Sequence, residues 1–133
     1  MIKVIAIDEF LCNAKKLRKK YRSLNSDLEG LIEELKENPT KGIQISEDVY
    51  KIRLAIKSKG KGKSGGARVI TYVYVQIIEE ETDTDVFLLT IYDKSAQSDV
   101  SDTFVDSLVD EVKALIEEDT AEEENESEDK EEE

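Results

Sequence analysis

The chain has no histidine among its 133 residues. That removes the imidazole pair with which many metal-independent ribonucleases move protons, and it removes the commonest zinc ligand. Proton transfer, if any occurs, falls to Lys, Arg, Tyr, Asp or Glu. There is one cysteine, Cys12. No internal disulfide can form, a zinc site has no ligand set, and a reducing cytoplasm suits the chain. Long apolar runs are missing too. The opening MIKVIAIDEF is too short, and at Asp8 and Glu9 too acidic, for a secretory signal, and nothing else reaches membrane-spanning length. The expectation is a soluble cytoplasmic protein with no membrane partner.

Acid is what one stretch lacks. The net charge is -13, yet Val49 to Ile78 contains no Asp or Glu and holds seven of the nineteen basic residues. Lys51, Arg53, Lys57, Lys59, Lys61, Lys63 and Arg68 repel one another, and no acid within the stretch relieves that repulsion. A concentrated positive field of this kind is what holds a polyanion such as RNA. A solvated basic face with a flexible Gly/Ser loop accounts for the same composition. The acidity is concentrated elsewhere: residues 119–133 carry ten acids against one lysine, leaving 18 basic and 22 acidic residues in the rest. With almost nothing apolar to bury, 119–133 is expected to be a disordered tail, and 1–118 a single domain large enough for a core.

The periodicity predicts the order β-α-α-β-β-β-α. Ile2 to Ile7 is a short apolar run, a first strand. Phe10, Ala14, Leu17 and Tyr21 recur at helical spacing, as do Leu24, Leu28, Leu31, Ile32 and Leu35. The second helix stops near Asn38-Pro39, since proline disfavours helix in the residue before it. The period then becomes two. Tyr50, Ile52, Leu54 and Ile56 alternate with Lys51, Arg53, Ala55 and Lys57, so Lys51 and Arg53 point the same way, about 6.7 Å apart. Ser58–Gly66 reads as a loop. Ala67–Ile78 is a strand with Val69, Val73 and Val75 on one face and Arg68, Tyr72 and Tyr74 on the other. Glu79–Asp85 reads as an acidic turn, Val86–Tyr92 as a third consecutive strand, Asp93–Asp99 as a polar connector, and Thr103 to Ile116 as an amphipathic helix. The fold class is α+β: a mostly antiparallel sheet packed against an N-terminal helical hairpin, with the opposite face carrying Lys51, Arg53, Arg68 and tyrosines.

Two motifs and this order resemble the RelE/ParE superfamily of toxin-antitoxin toxins, in particular its HigB-like RelE branch. Tyr50-Lys51-Ile52-Arg53-Leu54 is similar to the basic strand of RelE toxins. Gly60-Lys61-Gly62-Lys63-Ser64-Gly65-Gly66-Ala67-Arg68 resembles the loop that runs into their arginine-bearing strand. Leu88 to Ser95 is similar to the last core strand and its turn. The resemblance covers roughly residues 1 to 118. It implies a RelE-like fold and the toxin of a type II pair, cutting mRNA on the ribosome without metal or cofactor. The substrate 2′-hydroxyl would be the nucleophile, so the missing histidine is no obstacle. It also implies a cognate antitoxin, the ribosome and mRNA as partners, and assigns no oligomeric state.

By motif the resemblance places Lys51, Arg53, Arg68 and Lys94 in a cleavage set. Lys57, Lys59, Lys61, Lys63, Tyr72 and Tyr92 are the RNA-binding candidates, the tyrosines offering faces on which a base can stack. The chain departs from the pattern beyond Lys94, where Ser95, Gln97 and Ser101 stand instead of an arginine and a tyrosine. General acid and base are thereby left to Tyr72, Tyr92 or ribosomal RNA. Each candidate also has a structural alternative: an ion pair for Arg68, a solvated strand face for Lys51 and Arg53, sheet packing for the tyrosines. Gly60 to Ser64 lacks the spacing of a nucleotide-binding phosphate loop. The acids Glu79–Glu81, Asp83 and Asp85 lack that of a calcium loop. Other functions of such a chain are gyrase inhibition in the manner of ParE, against which the basic set argues, or a non-catalytic binding role on the same fold, which the missing arginine and tyrosine and the acidic tail favour. The tail reads as a solubilising extension, an RNA mimic folded over the basic face, or a partner contact.

Overall fold

The computed structural model describes residues 1–60, 62 and 65–131, with side chains through 119. Lys61, Lys63 and Ser64 lie outside the described residues. So does almost all of the expected tail, beyond Asp119, as far as its side chains are concerned. The chain divides into two units, Met1–Val100 and Ser101–Glu133.

The first unit is α+β, with a five-stranded mixed sheet in the order β1-β5-β4-β3-β2. Its elements are β1 (Ile2–Ala6), α1 (Asp8–Lys20), α2 (Leu24–Glu37), β2 (Ile43–Ser46), β3 (Val49–Leu54), a 3₁₀ turn at Lys57–Lys59, β4 (Ala67–Ile78) and β5 (Glu81–Asp93). Strands β3 to β5 form the expected antiparallel meander, β2 adds a further antiparallel strand beside β3, and β1 joins the far edge parallel to β5. Helix α1 opens with Asp8 and Glu9 and closes with Arg18, Lys19 and Lys20, the order of charge that complements the helix dipole. It buries Phe10 and Ala14, and α2 buries Leu24, Leu28, Leu31 and Leu35. Between them and the sheet lie Ile52, Val69, Val86 and Ile91, none more than 2% exposed.

Two features of this unit differ from the sequence expectation. β2 is an additional strand, too short and too exposed along its whole length to show alternation. The acidic turn is confined to Glu79 and Glu80, both at positive φ (51° and 69°), the backbone of a two-residue hairpin. Glu81 to Asp85 instead pair with Tyr74 to Ile78, and this pairing overrides their low strand preference. A bulge between Ile70 and Thr71 leaves Leu89 as the extra residue of β5. Bulges re-aim side chains, and here Asn13 of α1 donates to Thr90 Oγ1 at 3.1 Å.

Two glycines fix the backbone around β3. Gly42 has φ +104°, and a Cβ there would collide with the Lys51 carbonyl oxygen. A Cβ on Gly66 would collide with the Leu54 carbonyl oxygen. Gly66 therefore seats the loop exit against the end of β3.

The second unit is α3 (Asp102–Glu131), which begins one residue before and extends well beyond the predicted helix. Ser101 Oγ accepts the Phe104 N–H at 3.1 Å, an N-terminal cap. Among the described residues no helix is long and apolar enough to cross a membrane.

Candidate nucleic-acid interface

Strand register brings the sequence candidates together. Arg68 of β4 lies opposite Arg53 of β3 on one side and Tyr92 of β5 on the other. Directly opposed residues point to the same face, so the three form a row across the sheet. Lys51 stands two residues before Arg53 on that face. An acid ties it to the row: Asp99 Oδ1 accepts from Lys51 Nζ at 3.0 Å and from the Tyr92 hydroxyl at 3.2 Å. Helices α1 and α2 lie on the opposite face. Asp93, opposite Ala67 in the ladder, accepts a 2.6 Å hydrogen bond from Tyr21 at the junction of α1 and α2.

Exposure differs sharply along the row. Arg53 is exposed, whereas Arg68 is 6% exposed and donates from Nη1 to the Ala67 carbonyl at 3.1 Å. Tyr92 is buried, and its phenol is pushed up to about 12 by that burial and then by the Asp99 carboxylate, with Arg68 opposing. At neutral pH Tyr92 is a hydrogen-bond donor and not a base. The hydrogen bond from Lys51, with the Val100 N–H, holds Asp99 below its ordinary value.

The remaining candidates separate from this group. Lys59 is on the helix side: Nζ donates to Asp93 Oδ1 at 2.7 Å and to Ser95 Oγ at 2.7 Å, with only 9% of the side chain exposed. Its ammonium is raised above the usual lysine value by the bond to Asp93, against desolvation. Burial alone would push Asp93 up, but the bonds from Lys59, Tyr21 and Ser95 prevail and hold it well below the usual carboxylate range. Lys57 is exposed, and its backbone N–H is anchored on Asp27 Oδ2 at 3.2 Å. Lys94 turns along the connector to the Ser98 carbonyl at 2.7 Å, while its N–H meets the Gly66 carbonyl at 3.1 Å. Tyr72 is buried with its ring centroid 6.3 Å from that of Phe87, and burial, then Asp48, raises its phenol.

Arg53 also borders a cavity of about 180 Å³ between α2 and the end of β3, with Asp27, Leu31, Lys41 and Lys57. A second, shallower hollow brings Lys41, Lys51 and Arg53 together beside Gly42. Lys41, not singled out from the sequence, thus joins Lys51, Arg53 and Lys57 around these two hollows, where Asp27 and Glu34 also line the first. Lys41 is paired with Glu34 at 2.6 Å.

Asp93 and Asp99 are the residues of this arrangement that pattern reading missed. A signal for them exists: an acid-free cationic stretch needs counter-anions from elsewhere, and these are the only acids from Val86 to Ser101.

No family model matches the chain. No curated protein matches it either. Among solved structures it is similar to a double arginine-to-alanine mutant of the Escherichia coli toxin RelE in the free state. The identity is 19% and the TM-score 0.47, over 83% of this chain and 96% of that one.

Proposed function

We propose that the chain is a RelE-like toxin of the HigB-like branch, the active half of a type II toxin-antitoxin pair. It would act in the cytoplasm as a ribosome-dependent mRNA endonuclease silenced by a cognate antitoxin. The observation that carries this reading is the row Arg53–Arg68–Tyr92 with Lys51 beside it, assembled from the two motifs on which the resemblance rests. In the reaction the substrate 2′-oxygen bonds to the adjacent phosphorus and the P–O5′ bond breaks. The products are a cyclic phosphate and a 5′-hydroxyl, the 2′ proton being returned at O5′. No water is consumed.

Arg68 is assigned to the phosphorane. Its low exposure favours strong interaction with developing charge, and its preorganised fork spares reorganisation when that charge forms. Arg53 and Lys51 hold the flanking phosphates. Tyr92, protonated at neutral pH, serves as a donor. Lys57 and Lys94 are docking cations at the margins, and Lys59 is removed from the RNA-contacting set because its ammonium is engaged by Asp93 and Ser95 on the helix side of the sheet. Pairing of Lys51 with Asp99 favours a second reading, an RNA-binding protein of this fold without cleavage.

Mapping of mRNA 5′ ends on translating ribosomes decides between them. Cuts within the ribosomal A-site codon are expected, and Arg68→Ala should slow them by about 10²–10³. Absence of cuts leaves the binding reading, and cuts undiminished in Arg68→Ala remove that residue from the mechanism.

A further inference from the structure

Three donors meet on one oxygen in the middle of the basic face. Lys51 Nζ at 3.0 Å, the Tyr92 hydroxyl at 3.2 Å and the Val100 backbone N–H at 2.9 Å all point at Asp99 Oδ1. An ammonium, a phenol and a main-chain amide around a single anionic oxygen are equally the donor set of a phosphate oxygen. Tyr92 is suited to that task because it keeps its proton across the neutral range.

We propose that Asp99 is a built-in counter-anion occupying an RNA phosphate subsite formed by Lys51, Tyr92 and the Val100 amide, and that a substrate phosphate displaces it. The inference rests on the RNA-directed reading above and adds its regulation. Asp99 can leave at low cost: its side chain is 60% exposed, and it stands outside regular structure, between the end of β5 and Ser101. Surface ion pairs of this kind contribute little to stability. Lys51, 26% exposed, stays fixed on β3.

If Asp99 stayed in place it would repel the phosphates that Arg53 and Lys51 are placed to hold. Its presence is therefore a tax on weak, adventitious RNA, overcome only by a substrate that makes further contacts with Arg53 and its basic neighbours. Specificity of this sort comes from a repulsive element and not from added attraction.

The test is binding of a labelled single-stranded RNA of about ten nucleotides, by fluorescence anisotropy, to wild type, Asp99→Asn, Lys51→Met and the double variant. Asp99→Asn should tighten binding by about two- to five-fold at low salt, the range of one exposed pair. The gain should vanish when Lys51 is methionine. Unchanged or weaker binding by Asp99→Asn overturns the proposal. A full gain persisting without Lys51 also overturns it, since any acid near RNA would then do the same. A second readout is the NMR titration of the Tyr92 ring, which in Asp99→Asn should fall below that of wild type, the Asp99 carboxylate being one of the groups that raise it; an unmoved titration overturns the geometry. Neither measurement needs ribosomes or turnover, so failure of the cleavage reading and failure of this one are told apart.

Discussion

Two lysine–aspartate pairs flank the same sheet, and they differ in everything except their chemistry. Lys59–Asp93 is 2.7 Å long with side chains 9% and 3% exposed, and Asp93 also accepts from Tyr21 and from both Ser95 donors. Lys51–Asp99 is 3.0 Å long with side chains 26% and 60% exposed. The first joins the start of the lysine loop, the end of β5 and the junction of α1 and α2. It is a latch. The second joins a strand to a connector and leaves both charges within reach of water. A counter-anion held by several partners inside the protein fixes architecture, whereas one held at the surface is a place-holder that a better anion can replace.

The comparison is broken most directly by removing each acid. Asp93→Ala leaves Lys59 with only the Ser95 hydroxyl and should cost about 1.5–3 kcal/mol, the range of a hydrogen bond to a charged group. Asp99→Ala should cost less than about 1 kcal/mol. Urea unfolding of the two variants measures both. Equal losses would mean that burial does not separate the pairs.

Acid sharpens the same contrast. The Asp93 carboxyl is held well below its ordinary value in the folded chain. Its contribution is therefore fully present above the unfolded value, about 3.9, and is lost as pH falls toward the folded one, at up to about 1.4 kcal/mol per pH unit. Lys59, raised in the fold, has the opposite sign: its contribution is present below the unfolded lysine value, about 10.4, and is lost as pH rises through the folded one. Melting temperatures of wild type and Asp93→Asn should converge between about pH 4 and pH 2. A gap that stays constant over that range would show that the Asp93 charge is not what stabilises the latch.

The division of roles was only half legible in the amino-acid pattern. The alternation of Lys51, Ile52, Arg53 and Leu54 sets which side chains share a face, and the period of two puts Arg68 with them; the ladder agrees. Lys59 looked like its neighbours Lys57, Lys61 and Lys63 because a run of like charge carries no mark of which member finds a buried acid. That acid, Asp93, is 34 residues away, and only the closing of the sheet brings it near. Edge strand β2 escaped notice for a related reason. With all four residues exposed there is no inward face to impose a pattern, and Gly42 seats it by close approach and not by side-chain packing. Arg68 was legible as a residue but not in its environment: strand alternation predicts direction, and cannot predict that the site would be covered to 6% exposure.

The smallest effect tests whether burial separates the lysines themselves. Lys57 is exposed and Lys59 is locked on Asp93, two residues apart in a run of like charge. A lysine that meets a phosphate releases a condensed counterion, so each such contact steepens the fall of log affinity against log salt by about 0.7 for a single strand. Lys57→Met should therefore flatten that slope by up to about 0.7. Lys59→Met, compared at a temperature where circular dichroism shows it folded, should leave the slope unchanged, although it is the more destabilising substitution. The two variants thus reverse their order between a stability measurement and a salt series. A flattened slope in Lys59→Met would mean that its ammonium leaves Asp93 for the RNA, which would make both aspartates place-holders and dissolve the distinction between latch and subsite.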